Sequence, residues 1–146
     1  MLNEYNMIFL GSIKTLYLLQ HLLSESHFRV EIAPHKIIYT PEQSDSLRAF
    51  ETALHSEGPN DDLVLALKLK GPKNNPVFII GSFHSLGAPA IATYLAQSST
   101  RQAVINAFMA KYQRFPEYFE ILFRVTGIDK TAYKSEMLLY NEITPD

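Results

Sequence analysis

Residues Gly81–Gly87, GSFHSLG, place two serines and a histidine between two glycines, directly after an apolar run and before an alanine-rich one. The fragment HSLG around Ser85 has the serine and trailing glycine of a nucleophile elbow, G-x-S-x-G. In that motif small residues allow a strained strand-to-helix turn that exposes a serine hydroxyl. Two features oppose it here. Phe83 stands where the first glycine belongs, and the apolar run Val77–Ile80 stops before Gly81. In α/β hydrolases the base histidine follows the serine along the chain. The five histidines, His21, His27, His35, His55 and His84, all precede Ser85. A small serine hydrolase using Ser85 or Ser82 is therefore the least favoured reading, and no catalytic residue is assigned.

A second pattern concerns binding. MIFLGSIKT and VFIIGSFHS share four apolar residues, then Gly-Ser, then a helix-forming stretch. Gly11 with Ser12 and Gly81 with Ser82 offer backbone N–H groups and hydroxyls at helix starts, where the helix dipole favours an anion. Lys14 adds charge to the first loop, and His84 and Ser85 extend the second. Neither loop has the G-x-G-x-x-G or Walker pattern. The plainer reading is that glycine permits each turn and serine caps each helix. If the two strands are neighbours across a reversal of strand order, the loops flank one crevice at a shared carboxyl edge.

Other candidates are weaker. His27 and His35 flank a strand without a carboxylate or histidine at metal-ligand spacing. Asp61-Asp62 has the chemistry of a hard-metal pair, but it follows EGPN and reads as turn residues before a strand. No metal site and no cofactor are expected. Tyr112, Tyr118, Tyr133 and Tyr140, with Phe115 and Phe119, make the last third aromatic. They fit core and hairpin packing, or a dimer contact on an edge hairpin. Lys111 and Arg114 complement a helix C-terminus more simply than they make a nucleic-acid patch.

These side chains must be positioned by one ordinary domain. The chain has 146 residues, 47% hydrophobic and 19% charged, with formal net charge −2 and no cysteine. It can bury a sizeable core. It has no disulfide or thiolate chemistry, and nothing in its charge favours nucleic acid. No apolar run approaches the roughly 20 residues needed to span a bilayer. The start, MLNEYNMIFLG, lacks the basic flank of a signal peptide. A cytoplasmic home is expected. A chain that enters a core strand this early reads as a domain cut from a longer protein.

Periodicity supplies the elements. Tyr5–Leu10 reads as a buried strand. A helix follows, capped by Ser12, with Ile13, Leu16, Leu19 and Leu23 on one face and Leu18 and Leu22 widening it. Phe28–Ala33 and Lys36–Thr40 read as strands. A helix is expected near Ser46–His55, with Leu47, Phe50 and Leu54 inward. Leu63–Lys70 and Val77–Ile80 are strands, and the second, wholly apolar, suits a central position. Two helices follow, one with Ile91, Tyr94 and Leu95 inward. The next is capped at Ser99 or Thr100, with Val104, Phe108 and Tyr112 at helical spacing. A strand with Phe119, Ile121, Phe123 and Val125 on one face then turns at IDKT into a last strand. The alternation predicts an α/β domain, Rossmann-like, with a mostly parallel sheet flanked by helices and an antiparallel C-terminal hairpin at one edge.

The order of MIFLGS, DDLVLALKLKG, VFIIGSFHSLGAPAIATYL, YFEILFRV and a closing strand with Ser135 resembles a family of poorly characterised bacterial Rossmann-like domains. Those domains often lie at the C-terminus of longer proteins that look like regulators. Gly81, Gly87, Ala88, Ala90 and Ala92 stand where that pattern has small residues. The first Gly-Ser departs from it, because IKTLYLL replaces a loop containing asparagine. The resemblance implies a non-catalytic ligand-sensing or protein-interaction domain of a cytoplasmic bacterial regulator, with no reaction of its own. Gly11, Ser12, Lys14, Gly81, Ser82, His84 and Ser85 would then contact a small anionic or nucleotide-like ligand. A homodimer is expected, without direct nucleic-acid or membrane binding. The alternative is a structural dimerisation module without a ligand.

Overall fold

The two runs that echo one another pair with each other. The computed structural model describes residues 7–18, 23–32, 35–41, 46–52, 59–71, 74–129 and 131–145. Its elements are β1 (Met7–Ser12), α1 (Ile13–Leu18), β2 (Phe28–Glu31), β3 (Lys36–Tyr39), β4 (Arg48–Glu51) and β5 (Asn60–Lys70). They continue with β6 (Pro76–Ser82), α2 (Gly87–Ala96), α3 (Ser98–Tyr112), β7 (Phe119–Ile128) and β8 (Thr131–Glu142). One sheet has the order β1-β6-β5-β7-β8, and a smaller one the order β2-β3-β4. Tyr5, Leu19, Leu22, Leu54, His21 and His55 lie outside the described residues.

The α/β class and the antiparallel β7–β8 hairpin at one edge are as expected. The parallel pairing is narrower than the alternation of strands and helices suggested. It joins β1 to β6, whereas β5 runs antiparallel to both β6 and β7. The short connection Gly71–Asn75 is the reason: a parallel neighbour needs a crossover of a dozen or more residues. Among the described residues the small sheet shares one face with α1, while α2 and α3 take the other.

Alternation along β5 divides the core. Leu63, Leu65, Leu67 and Leu69 meet Ile13, Phe28, Val30 and Ile37 on one side. Val64 and Ala66 meet Ala88, Ile91, Val104 and Phe108 on the other, together with Phe119, Ile121, Phe123 and Val125 of β7. A strand covered on both faces reads as a nearly continuous apolar run, which is how LVLALKLK reads. Phe108 is fully buried against the rings of Tyr112, Phe115, Phe119 and Tyr140.

Four local expectations are corrected. Arg48–Glu51 is a strand and not part of a helix; Ile37 lies opposite Phe50, and Leu47 is exposed. A third strand stabilises what would otherwise be a marginal two-stranded ribbon, and this tertiary gain overrides helix propensity. β6 continues through Gly81 to Ser82, because β1 pairs with it that far. β5 begins at Asn60, so Asp61 and Asp62 are strand residues paired with Thr126 and Val125. Finally, α3 starts after Gln97 without a side-chain cap, so neither Ser99 nor Thr100 caps it. Instead, the Thr100 hydroxyl donates to the Tyr94 carbonyl.

Candidate functional site

The parallel register sets Gly11 opposite Gly81 and Ser12 opposite Ser82. The two Gly-Ser ends therefore leave the sheet side by side. Their continuations diverge: Ile13 enters the core on the small-sheet side, while Ala88 and Ile91 enter the core beneath α3. Adjacent parallel strands whose connections leave to opposite faces are the geometry at which α/β sheets form crevices.

The two serines differ. Ser12 is exposed, and its Oγ accepts the Lys14 N–H at 3.2 Å as a helix cap. Ser82 is 2% exposed. Its Oγ donates to the His84 carbonyl at 2.7 Å and accepts the Ala88 N–H at 3.1 Å. It closes its own loop and caps α2, so its hydroxyl is committed internally.

Asp62, fully buried on β5, holds the rest of the loop. Its Oδ1 accepts the Phe83 and His84 N–H groups, each at 3.1 Å, and its Oδ2 accepts the Gly87 N–H at 2.7 Å. Burial disfavours the charged form and pushes the carboxyl up to about 6, against the lowering effect of these N–H donors. The Phe83, His84 and Gly87 N–H groups thus point at an internal anion.

The outward side of the loop has a different character. The Phe83 ring is buried and stacks on His35, with centroids 4.9 Å apart and planes 2° apart. The rings of His35 and His84 lie 5.2 Å apart. Burial lowers the His84 pKa first, and the charges of His35 and Lys14 lower it further. Among the described residues His84 Nε2 is enclosed without a hydrogen-bond partner. Ser85 is exposed, three residues past the strand end.

The structure therefore gathers Gly11, Ser12, Gly81 and Ser82 at one edge and sets Lys14 within electrostatic reach of His84. It adds His35 and Asp62, which sequence reasoning did not place there. An aspartate directly before the apolar run Leu63–Leu67 was the available signal for Asp62. His35 had none, because the β2–β3 connection brings it in.

The remaining candidates have other partners. Asp61 binds Arg124 at 3.3 Å and Thr126 at 3.1 Å, pointing away from Asp62 in function as well as in pairing. Among the described residues no cluster of three or more metal-ligating side chains occurs. Buried Glu120 accepts the His27 N–H at 3.0 Å and pairs with His27 Nδ1, fixing the entry to β2. Lys111 donates to the Tyr140 carbonyl at 2.8 Å and lies over the Tyr140 ring, and Arg114 pairs with Glu142. A cleft of about 630 Å³ lies between Lys70, Tyr118 and Thr144, and one of about 440 Å³ between α2 and β8. Neither includes a Gly-Ser residue. No helix among the described residues is long and apolar enough to cross a membrane.

Comparison with protein-family models, curated proteins and solved structures finds no match to this chain.

Proposed function

We propose that this α/β domain is a non-catalytic ligand-sensing domain that takes a small anion at the carboxyl edge of β1 and β6. The observation that carries the reading is the His84 imidazole. Among the described residues its Nε2 is enclosed without a partner, beside a second imidazole and under the electrostatic influence of Lys14. A buried polar atom without a partner costs about 1–3 kcal/mol, and an acceptor on a ligand removes that cost. Lys14 supplies the attraction, and the exposed Ser12 and Ser85 hydroxyls supply further donors. Gly81 and Ser82 shape the edge; Gly11 is half-buried there. The resemblance to bacterial Rossmann-like domains supplies the setting, a cytoplasmic regulator whose other parts respond to the ligand.

Titration with sulfate, nucleotides and small organic anions, followed by calorimetry and by the His84 ring resonances, tests this. Saturable binding that weakens at least tenfold in Lys14→Ala and His84→Ala supports the reading. No saturable binding by any of these anions overturns it.

A second reading, a homodimerisation module, has its own observation. Among the described residues β1 pairs on one side only, and Ile8 and Leu10 on it are 79% and 55% exposed. An apolar edge strand is a template for pairing with another chain. Sedimentation of the wild type and of Ile8→Lys decides it. A dimer that the variant dissociates supports this reading, and a wild-type monomer at high concentration rejects it.

A further inference from the structure

Two carboxylates are fully buried among the described residues. Glu120 faces His27, whereas Asp62 accepts the backbone N–H groups of Phe83, His84 and Gly87. The charged and titratable groups around Asp62 are spoken for or distant in role. On β5, Asp61 is bound to Arg124 of β7. In the loop, His84 turns its backbone and not its ring to the carboxylate. Lys14 and His35 act electrostatically on the His84 ring. The helix α2, GAPAIATYLA, carries no charge. Successive N–H groups converging on one carboxylate at a helix start form an anion nest. Here the anion belongs to the chain. Gly87 fits this role closely, since a Cβ there would stand 2.7 Å from Asp62 Oδ2.

We propose that Phe83–Gly87 is an anion-binding loop whose resident ligand is the Asp62 carboxylate, and that Asp62 thereby positions His84 for the external anion. The first half rests on the geometry of the nest alone. The second half rests on the ligand-sensing reading above. Asp62 is a positioning residue: it touches the loop backbone, and the loop carries the imidazole.

Amide proton shifts of the wild-type protein, followed from about pH 2 to about pH 8, test the first half without any substitution. The Phe83 and Gly87 amides are expected to titrate together, following Asp62, and apart from the His84 ring resonances. In Asp62→Asn that shared titration disappears while the His84 ring still titrates. Amides that stay flat in the wild type overturn the proposal. A second arm uses Asp62→Ala in formate or in chloride at equal ionic strength. Formate is expected to restore part of the lost thermal midpoint in a saturable way, and to do nothing for a Val64→Ala control. Equal action of formate and chloride overturns the proposal; if the variant folds in neither, the wild-type amides decide. For the second half, sulfate affinity is expected to fall several-fold in Asp62→Asn. An unchanged affinity removes the positioning role. If the wild type binds no anion at all, the ligand-sensing reading fails, while the amide titration still decides whether Asp62 is the resident ligand.

Discussion

Gly87 donates its backbone N–H to Asp62 Oδ2 at 2.7 Å, across the gap between the start of α2 and the start of β5. With the Phe83 and His84 N–H groups on Oδ1, this ties the helix start and the loop before it to one buried side chain.

The position of Gly87 follows from that bond. An added Cβ would stand 2.5 Å from Val64 Cγ2 as well as 2.7 Å from the carboxylate. Neither the strand side chain nor the bonded carboxylate can give way freely. Gly87→Ala is expected to lower stability by about 1–3 kcal/mol, as overpacking of a tight site does. By contrast, a Cβ on Gly11 meets only the end of the Phe9 ring, at 3.3 Å. Gly11→Ala is expected to cost under about 1 kcal/mol. Urea unfolding of both variants measures the difference.

Stability should carry the signature of Asp62 between about pH 4 and pH 6. Its carboxyl is raised from 3.8 to about 6 in the folded protein, chiefly by burial. The folded state therefore holds the proton more tightly than the unfolded chain. The stability this provides is fully present below 3.8 and is lost as pH rises through about 6. The shift corresponds to roughly 3 kcal/mol. Denaturant titrations across this window should show a falling slope in the wild type that Asp62→Asn flattens.

Anion affinity should rise on acidification. Burial first, then the electrostatic influence of His35 and Lys14, holds the His84 pKa below the ordinary 6.5, which favours the neutral ring at neutral pH. Acidification charges it. Sulfate, whose own charge is constant over this range, should bind several-fold more tightly as pH falls below the ordinary imidazole range. His84→Gln should abolish that dependence in a calorimetric titration.

The aromatic core beneath α3 should be the costliest place to truncate. Phe108 is fully buried and meets the rings of Tyr112, Phe115, Phe119 and Tyr140. Phe108→Ala is expected to lower unfolding free energy by about 3–5 kcal/mol, through lost transfer energy and a residual cavity. Chemical denaturation with an unchanged m-value would locate the effect in the folded state.

The sequence by itself determined the elements with strong, sustained periods. The wholly apolar β6, the alternating face of β7 and the recurrence of Val104, Phe108 and Tyr112 on α3 are local patterns. Burial on one face or on both dictates them, whatever else the chain does. It also determined that the two Gly-Ser ends are alike, and their alignment in register follows from that likeness. Tertiary structure decided what no local pattern encodes. Whether β5 runs with β6 or against it depends on a short connection, and whether 48–51 is helix or strand depends on an available edge on β3. The site was half legible for the same reason. Lys14, Ser12, His84 and Ser85 lie beside the glycines in sequence, but Asp62 and His35 reach the loop through strand pairing and sheet packing. A buried carboxylate needs donors, and only the assembled sheet brings the N–H groups of Phe83, His84 and Gly87 to it. HSLG therefore supplied an exposed serine and a helix start, and the fold turned the N–H groups around them inward, onto a residue 21 to 25 positions earlier in the chain but adjacent in space.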